Sequence, residues 1–230
     1  MKIGIVVQAR MSARRFPGKM IAEFNGHAVI DWVLYRLNKV RAADELILAT
    51  STNLENDVLV RKAKAHGVSV FQGSEDDVLG RFVDVSSHFG LDRVVRVCAD
   101  NPLVCPGEID KLIDFFDAKT MDYAFNGVPK MDNRYPDGLG AEITTADVLA
   151  DMNRRVESRS EREHIFNYLW EHPDQYRIAT FSADAAIALP NIRLDIDTRD
   201  DLDYLSAFVF TMDDPAAEII RKIQQREQSK

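Results

Sequence analysis

Short, mostly apolar runs recur along the first half of the chain. They lie at residues 3–7, 45–49, 68–71 and 93–97 and are rich in β-branched residues. A run that does not alternate between apolar and polar positions is typical of a strand buried on both faces of a parallel sheet. We therefore predict four such strands in the first hundred residues.

Each of these runs precedes a segment whose apolar residues recur with helical spacing. The predicted helices span roughly 28–40, 54–66, 77–89 and 106–116. A strand followed by a helix, repeated about four times, favours right-handed crossovers that cover both faces of one sheet. The expected fold class is α/β, with a doubly wound and mostly parallel sheet.

The strand and helix rhythm breaks after residues 122–126. Residues 127–140 contain two prolines and three glycines, which indicates a long functional loop or a small excursion from the sheet. We predict one domain over residues 1–230, in which about 127–190 form a small inserted subdomain for acceptor binding or dimerisation.

The last third of the chain is expected to return to the main sheet. The segment Ile-Arg-Leu-Asp-Ile at residues 192–196 is predicted to form this returning strand. The other elements predicted here are a strand at 176–181 and helices near 146–156, 160–171, 200–209 and 215–225.

Composition and charge exclude several classes of protein. The chain has 230 residues, enough for one substantial α/β domain but too few for two of ~150 residues each. A formal charge of -8 disfavours coating nucleic acid or an anionic membrane. Two cysteines and no apolar run near ~18 residues indicate a cytoplasmic protein without a disulfide framework or a membrane span.

A basic loop follows the first predicted strand. Between Gln8 and Lys19 an otherwise acidic protein carries three arginines and one lysine. Guanidinium and ammonium groups fit phosphate oxygens, and the Pro-Gly pair before Lys19 turns the backbone towards an anion. The loop is not a Walker motif, because Ala13 and Met20 replace the required glycine and hydroxyl residue, nor is it G-x-G-x-x-G. A polyphosphate site is favoured, with a solvated basic surface as the alternative.

Two aspartates follow predicted strands. Asp100 comes after the run at 93–97, and Asp197 comes after the run at 192–196, with Asp195 two residues earlier on the same side. Ligands of open α/β sheets bind at the carboxyl ends of the strands, and Mg²⁺ typically takes one or two carboxylates. The aspartates are therefore candidate Mg²⁺ ligands, although each could instead cap the helix that follows.

Two further segments carry candidate binding residues. Residues 73–82 combine a turn with the start of a helix, so that Ser74 or Asp76 could cap the helix while free amides face the cleft. Residues 138–142 and 159–164 lie in the irregular second half, where an acceptor could be recognised. A lone histidine there, such as His164, is more often structural than catalytic, because nothing in the sequence fixes its partner.

Taken together, these segments resemble the cytidylyltransferases grouped with spore coat polysaccharide biosynthesis protein F, relatives of CMP-KDO synthetase and CMP-sialic acid synthetase. The resemblance runs in order from near the first residue to about Leu205. The segments that carry it are Gln8-Ala-Arg-Met-x-x-x-Arg-x-Pro-Gly-Lys19, Gly73-Ser-Glu-Asp-Asp-Val-Leu79, Asp100-x-Pro102, Tyr135-Pro-Asp-Gly-Leu139 with Glu142, Arg162-Glu-His164 and Asp197-Thr-x-x-Asp-Leu202.

The resemblance implies a nucleotide-diphospho-sugar transferase fold of Rossmann-like type and the use of CTP as donor. It also implies Mg²⁺ as cofactor, a sugar or sugar-acid acceptor, pyrophosphate as by-product and a homodimer. The expected activity is transfer of CMP to an acceptor hydroxyl in the biosynthesis of surface polysaccharide or glycoconjugates. A nucleotide-sugar-dependent glycosyltransferase and a non-catalytic nucleotide-binding subunit are the alternatives.

The family's functional positions map onto this chain as follows. Asp100 and Asp197 are the implied Mg²⁺ ligands, and they belong to the implied catalytic set with Arg10, Arg15 and Lys19. The implied nucleotide contacts are Gln8, Ala9, Arg10, Arg15, Lys19, Ser74 and Asp100. The implied acceptor contacts are Asp137, Glu142, Arg162, Glu163 and His164.

The basic loop between Gln8 and Lys19 departs from the family pattern at one position. Ala13 stands where a serine or threonine is usual, and Ser12 lies one place early. A hydroxyl contact to phosphate is therefore lost or shifted. Because of this departure, the hypothesis of a non-catalytic nucleotide-binding subunit stays open. The Pro-Gly-Lys turn argues against a glycosyltransferase, because a triphosphate needs more cationic groups around it than a nucleotide sugar does.

Overall fold

A seven-stranded sheet and a two-stranded hairpin form the β-structure of the computed structural model, which describes residues 1–227. The strands in chain order are β1 (Ile3–Gln8), β2 (Glu23–Phe24), β3 (His27–Ala28), β4 (Glu45–Ser51), β5 (Ser69–Gly73), β6 (Arg93–Cys98), β7 (Tyr123–Phe125), β8 (Glu142–Thr145) and β9 (Ile178–Thr180). The hairpin pairs β2 with β3, and the other strands form the main sheet.

The main sheet has the order β5-β4-β1-β6-β8-β7-β9. β1 lies parallel to both β4 and β6, and β4 lies parallel to β5. β8 runs antiparallel to both of its neighbours, while β9 is parallel to β7. The four strands predicted in the first hundred residues are confirmed, and the sheet is mostly parallel as expected.

Nine α-helices surround the sheet within the described part of the chain. They are α1 (Val29–Leu37), α2 (Asp57–Ala65), α3 (Val78–Phe89), α4 (Pro106–Asp117), α5 (Ala146–Arg155), α6 (Arg159–Glu163), α7 (Asn167–Glu171), α8 (Arg199–Ser206) and α9 (Ala216–Glu227). None of these helices is both long enough and apolar enough to cross a bilayer.

Helices cover both faces of the sheet, as a doubly wound fold requires. Ile5 and Val7 of β1 point into a core shared with α1, α2 and α4. Val6 lies between them in sequence and points to the opposite core, which contains α3, α5 and α7. A third cluster packs α8 and α9 around Trp32 on α1. The continuous apolar run of β1 is thus explained by burial on two faces.

The helix predicted over 160–171 is interrupted, and this prediction was wrong in part. α6 ends before His164, whose ψ of 72° is not helical, and α7 begins at Asn167. Ile165 and Phe166 between them are buried, and the Phe166 ring lies 4.8 Å from that of Tyr123. Burial of this apolar pair against the sheet accounts for the break.

The prediction that residues 192–196 rejoin the main sheet is also wrong. The Leu194 amide donates to the Asp137 carbonyl at 2.9 Å, and the Ile196 amide donates to the Asp100 carbonyl at 2.8 Å. The segment therefore runs beside two loops, and β8 occupies the position next to β6. Because β8 and β9 belong to the main sheet, the range 127–190 contributes strands to it; its role as an acceptor or dimer excursion stays a prediction.

Arg36 of α1 fastens the third cluster to the rest of the fold. Its side chain is fully buried, and its guanidinium donates to three backbone carbonyls: Nε to Val104 at 2.6 Å, Nη1 to Met212 and Nη2 to Asp214, both at 2.9 Å. Buried polar groups left without partners are costly, so these carbonyls depend on the guanidinium.

We predict that Arg36→Met lowers the free energy of unfolding by about 3 kcal/mol, because three backbone carbonyls lose their donor, two of them in fully buried hydrogen bonds. Chemical denaturation measures this change. The matched control is Arg61→Met, since Arg61 is an exposed residue of α2 and its replacement is expected to cost less than about 0.5 kcal/mol. Equal stability of the two variants would contradict this role of Arg36.

Candidate active site

Residues 10–19 follow the carboxyl end of β1 and are named the phosphate loop after the contact that the family resemblance implies. Gly18 adopts φ 74°, a left-handed conformation that residues with a side chain rarely take, and it opens a 3-10 helix over Lys19–Ile21. This turn directs Lys19 inwards, where it is 7% exposed. The Pro-Gly pair in the sequence therefore serves to bury the lysine that follows it.

Lys19 lies between the two aspartates that the sequence analysis singles out. Its Nζ donates to Asp100 Oδ2 at 2.7 Å and to Asp197 Oδ1 at 3.1 Å. Burial alone would lower the pKa of Lys19, but the charges and hydrogen bonds of the two carboxylates outweigh it and raise the pKa. Likewise, burial would raise the pKa of Asp197, yet Lys19 and its other cationic neighbours hold it below the usual value. The site therefore contains an ammonium and an ionised carboxylate in contact.

Neither aspartate caps a helix. The N-cap of α8 is Thr198, which forms a capping box with Asp201, and α4 begins well after Asp100 with Cys105 as its N-cap. The capping alternative is thus excluded for both residues. Asp100 and Asp197 come from distant parts of the sequence and meet at one point, as the sequence analysis expects.

The donor set at this point fits a hard divalent cation. Carboxylate oxygens are ligands that Mg²⁺ prefers, and Mg²⁺ usually completes its shell with water and phosphate oxygens. Within residues 1–227, no group of three or more His, Cys, Asp and Glu side chains is arranged to hold a metal. Asp100 and Asp197 supply two carboxylates of the kind that such an ion binds.

A cavity of about 240 Å³ opens beside Asp100 and Asp197. Asp137 and Glu142, two of the predicted acceptor contacts, line it. Burial, and then the neighbouring charge of Asp195, raise the pKa of Asp137 to about 6. The cavity is thus an acidic, polar space next to the candidate metal site, large enough for a small hydrophilic molecule.

Polar contacts along the sheet edge hold the floor of this cavity. Arg96 of β6 donates through Nε to Gln8 Oε1 at 3.0 Å, and its Nη1 pairs with Glu142 of β8. The hydroxyl of Tyr123 donates to the other oxygen of Glu142. Gln8 and Glu142 therefore lie in one network that links four strands, and both are fixed before any ligand binds.

The remaining predicted nucleotide contacts lie around the phosphate loop. Arg15 is largely exposed and donates to Asp197 Oδ2 at 2.6 Å, and Arg10 donates to Glu163 Oε1 at 2.9 Å. Ala9 is buried and its amide bonds to β4. The hydroxyl of Ser12 binds Glu75, so it faces the loop after β5.

Residues 73–77 connect β5 to α3 and are named the nucleoside loop after the contact that the family resemblance implies. Ser74 Oγ accepts from the Asp77 amide at 3.1 Å, and Asp77 is the N-cap of α3, accepting from the Gly80 amide at 2.8 Å. Asp77, rather than Ser74 or Asp76, is therefore the cap of this helix. Ser74 is exposed to solvent. It precedes Glu75, whose carboxylate accepts a hydrogen bond from Ser12 of the phosphate loop.

The described residues that line the acidic cavity do not include Arg162, Glu163 or His164. Arg162 pairs with Asp77 and Glu163 pairs with Arg10, while His164 is exposed just after α6. The structure thus brings Asp137 and Glu142 to the acidic cavity and places Arg162 and Glu163 against the nucleoside and phosphate loops.

Arg193 is a site residue that the sequence analysis misses. It pairs with Asp195, donates to Asp197 Oδ2 at 3.1 Å and lies 4.0 Å from Asp137. Residues 193, 195 and 197 alternate in an extended segment, so their side chains share one side. That period-two spacing of charged residues is the signal that could have identified Arg193.

Comparisons with known proteins identify the family of this chain. A family model described as cytidylyltransferase matches residues 4–228. Spore coat polysaccharide biosynthesis protein SpsF of Bacillus subtilis is 30% identical over 88% of this chain and 84% of its own length. The 3-deoxy-manno-octulosonate cytidylyltransferase of Geobacter sulfurreducens is 31% identical over 49% of this chain and 44% of its own.

A solved structure supports the same assignment. The structure of a cytidylyltransferase from Leptospira borgpetersenii serovar Hardjo-bovis superimposes with a TM-score of 0.92 and 26% identity, covering 99% of this chain and 96% of the other. The expected fold and the resemblance seen in the sequence are both confirmed. The chain belongs to the cytidylyltransferase family.

Proposed function

We propose that this enzyme transfers the cytidylyl group of CTP to a hydroxyl of a sugar or sugar acid and releases pyrophosphate. The observation that carries the proposal is the meeting of Lys19, Asp100 and Asp197 at the carboxyl end of the sheet. One cation for phosphate and two carboxylates for a metal ion are what a nucleotidyl transfer site needs.

Positioning and charge neutralisation account for most of the catalysis in this proposal. The acceptor hydroxyl attacks the α-phosphorus in line while pyrophosphate leaves from the opposite side. Lys19, Arg10 and Arg15 neutralise the negative charge that develops on the leaving group. Asp100 and Asp197 would hold Mg²⁺, which when bound polarises the α-phosphate.

The acceptor lies in the acidic cavity in this proposal. Asp137 and Glu142 offer carboxylate oxygens to the hydroxyl groups of a sugar, and Arg96 fixes the orientation of Glu142. The sugar acid named for the Geobacter relative and the polysaccharide named for the Bacillus relative support an acceptor of this class and a role in surface polysaccharide biosynthesis.

The proposal places the enzyme in the cytoplasm as a homodimer, with neither nucleic acid nor membrane as partner. Both cysteines are free thiols, Cys98 half-buried and Cys105 buried, which suits a reducing compartment. The acidic formal charge of -8 supports the absence of polyanionic partners. The dimer is supported by the family resemblance, and sedimentation at micromolar concentration measures it.

We predict that pyrophosphate forms with CTP, Mg²⁺ and an acceptor drawn from a panel of sugars and sugar acids, and that ATP, GTP and UTP give at most about a tenth of that rate. A coupled pyrophosphate assay provides the measurement. CTP binding with no turnover across the panel would favour the non-catalytic subunit. Turnover of nucleotide sugars without pyrophosphate would favour a glycosyltransferase.

Asp197→Asn is expected to reduce Mg²⁺-dependent pyrophosphate release by about a hundredfold or more, because one metal-binding carboxylate becomes neutral. The circular dichroism spectrum should not change, since Thr198 rather than Asp197 caps α8. Asp203→Asn is the matched control, because Asp203 is exposed on α8 and pairs with Arg199. Full turnover by Asp197→Asn would remove this residue from the proposed role.

A further inference from the structure

Helix α6 touches both loops that the family resemblance assigns to the nucleotide. It spans Arg159–Glu163, and charged side chains at its start, middle and end reach the phosphate loop or the nucleoside loop. Arg162 and Glu163 are expected from the resemblance to contact the acceptor, and that role stays a prediction. In the structure their side chains contact Asp77 of the nucleoside loop and Arg10 of the phosphate loop.

Glu163, at the end of α6, holds Arg10 of the phosphate loop. Arg10 Nη2 donates to Glu163 Oε1 at 2.9 Å, and this hydrogen bond lowers the pKa of Glu163. One hydrogen bond joins the two side chains, so it fixes the direction of the guanidinium while its other N–H groups can still donate to a ligand. Both side chains are part-exposed, Arg10 at 36% and Glu163 at 40%, so the guanidinium remains accessible to a ligand.

Arg162 anchors the same helix to the start of α3. Its Nε and Nη2 donate to both oxygens of Asp77, at 3.0 and 2.7 Å, and its Nη1 donates to the Val156 carbonyl at 2.9 Å. Burial would raise the pKa of Asp77, but the hydrogen bonds from Arg162 and the Gly80 amide outweigh it and lower the pKa. A bidentate, ionised pair of this kind sets a defined orientation.

The two loops also contact each other beside α6. Ser12 of the phosphate loop donates to Glu75 of the nucleoside loop, and Arg10 Nη1 lies 3.9 Å from the same carboxylate. Arg159 adds a contact to Asp76 at 3.0 Å. The phosphate loop, the nucleoside loop and α6 therefore form one connected set of ion pairs.

We propose that α6 is a positioning element for CTP: Glu163 orients Arg10 towards the triphosphate, and Arg162 fixes the helix against the nucleoside loop. This inference rests on the proposed function, since it takes CTP as the ligand. In this role Glu163 does not touch the substrate. It acts through Arg10 by limiting the directions in which the guanidinium can point.

The sign of the effect distinguishes positioning from simple charge. Removal of the Glu163 carboxylate takes one negative charge from the surroundings of the phosphate loop, and by long-range electrostatics alone this strengthens binding of a polyanion. Positioning predicts the opposite, because Arg10 loses its fixed direction. Weaker binding after removal of a negative charge therefore has a cause other than net charge.

The test measures the dissociation constant for CTP with Mg²⁺ by calorimetry on the full chain. We expect Glu163→Ala to weaken CTP binding about fivefold, and Glu163→Gln to stay within about twofold of wild type, because its amide oxygen still accepts from Arg10. Glu157→Ala is the matched control: Glu157 is exposed just before α6, and its replacement removes the same charge. Thermal unfolding of each variant confirms that the fold is retained.

Unchanged or tighter CTP binding by Glu163→Ala would overturn the inference, as would equal weakening by Glu157→Ala or by Glu163→Gln. These outcomes are separate from failure of the proposed function itself. If wild-type protein binds CTP no better than the other nucleoside triphosphates, the proposed donor is wrong whatever the variants do.

Discussion

A buried ammonium group shared by two carboxylates is the interaction on which the site depends. Lys19 is almost inaccessible to solvent, and its Nζ contacts both Asp100 and Asp197. A charge buried to this extent is costly unless it is paired and hydrogen-bonded, so the three residues must come together when the chain folds. The phosphate loop, the end of β6 and the segment before α8 are thereby fixed at one point.

The same constraint prepares the site for a polyanion and a metal ion. In the proposed reaction the ammonium of Lys19 binds the phosphates, and the carboxylates of Asp100 and Asp197 bind the metal ion. Each charge present in the free enzyme therefore has a partner of opposite sign in the complex. Two more exposed arginines, Arg15 and Arg193, also form ion pairs with Asp197 and add positive charge beside the carboxylates. The electrostatics of the site are thus established by folding rather than by ligand binding.

Sequence patterns predicted the parts of the fold that depend on strong local periodicity. The run at 3–7, which forms most of β1, contains no polar side chain because both faces of the strand are buried, and the aspartate after β6 is placed by the rule for carboxyl ends of strands. By contrast, β8 is four residues long, and its sequence Glu-Ile-Thr-Thr carries too little pattern to reveal an antiparallel strand. The segment at 192–196 has the composition of a strand, but its backbone bonds to loops that no local pattern specifies.

The candidate site could be predicted in part for the same reasons. Lys19 follows a Pro-Gly turn and Asp100 follows β6, which are local signals. Asp197 was identified by its position after a predicted strand, although that segment does not join the sheet. The placement of Arg162 and Glu163 follows from the break after α6, where Ile165 and Phe166 turn into the core. That break is a matter of tertiary packing, so sequence reasoning assigned these side chains to the acceptor without information on the direction in which they point.

The most direct measurement of the central claim is a crystal structure of the enzyme with CTP and Mn²⁺, in which anomalous scattering locates the metal. The account predicts an anomalous peak bound by the carboxylates of Asp100 and Asp197 and by phosphate oxygens, with Lys19 Nζ on the triphosphate. A metal located away from these two carboxylates, or a triphosphate bound out of reach of Lys19, would contradict it.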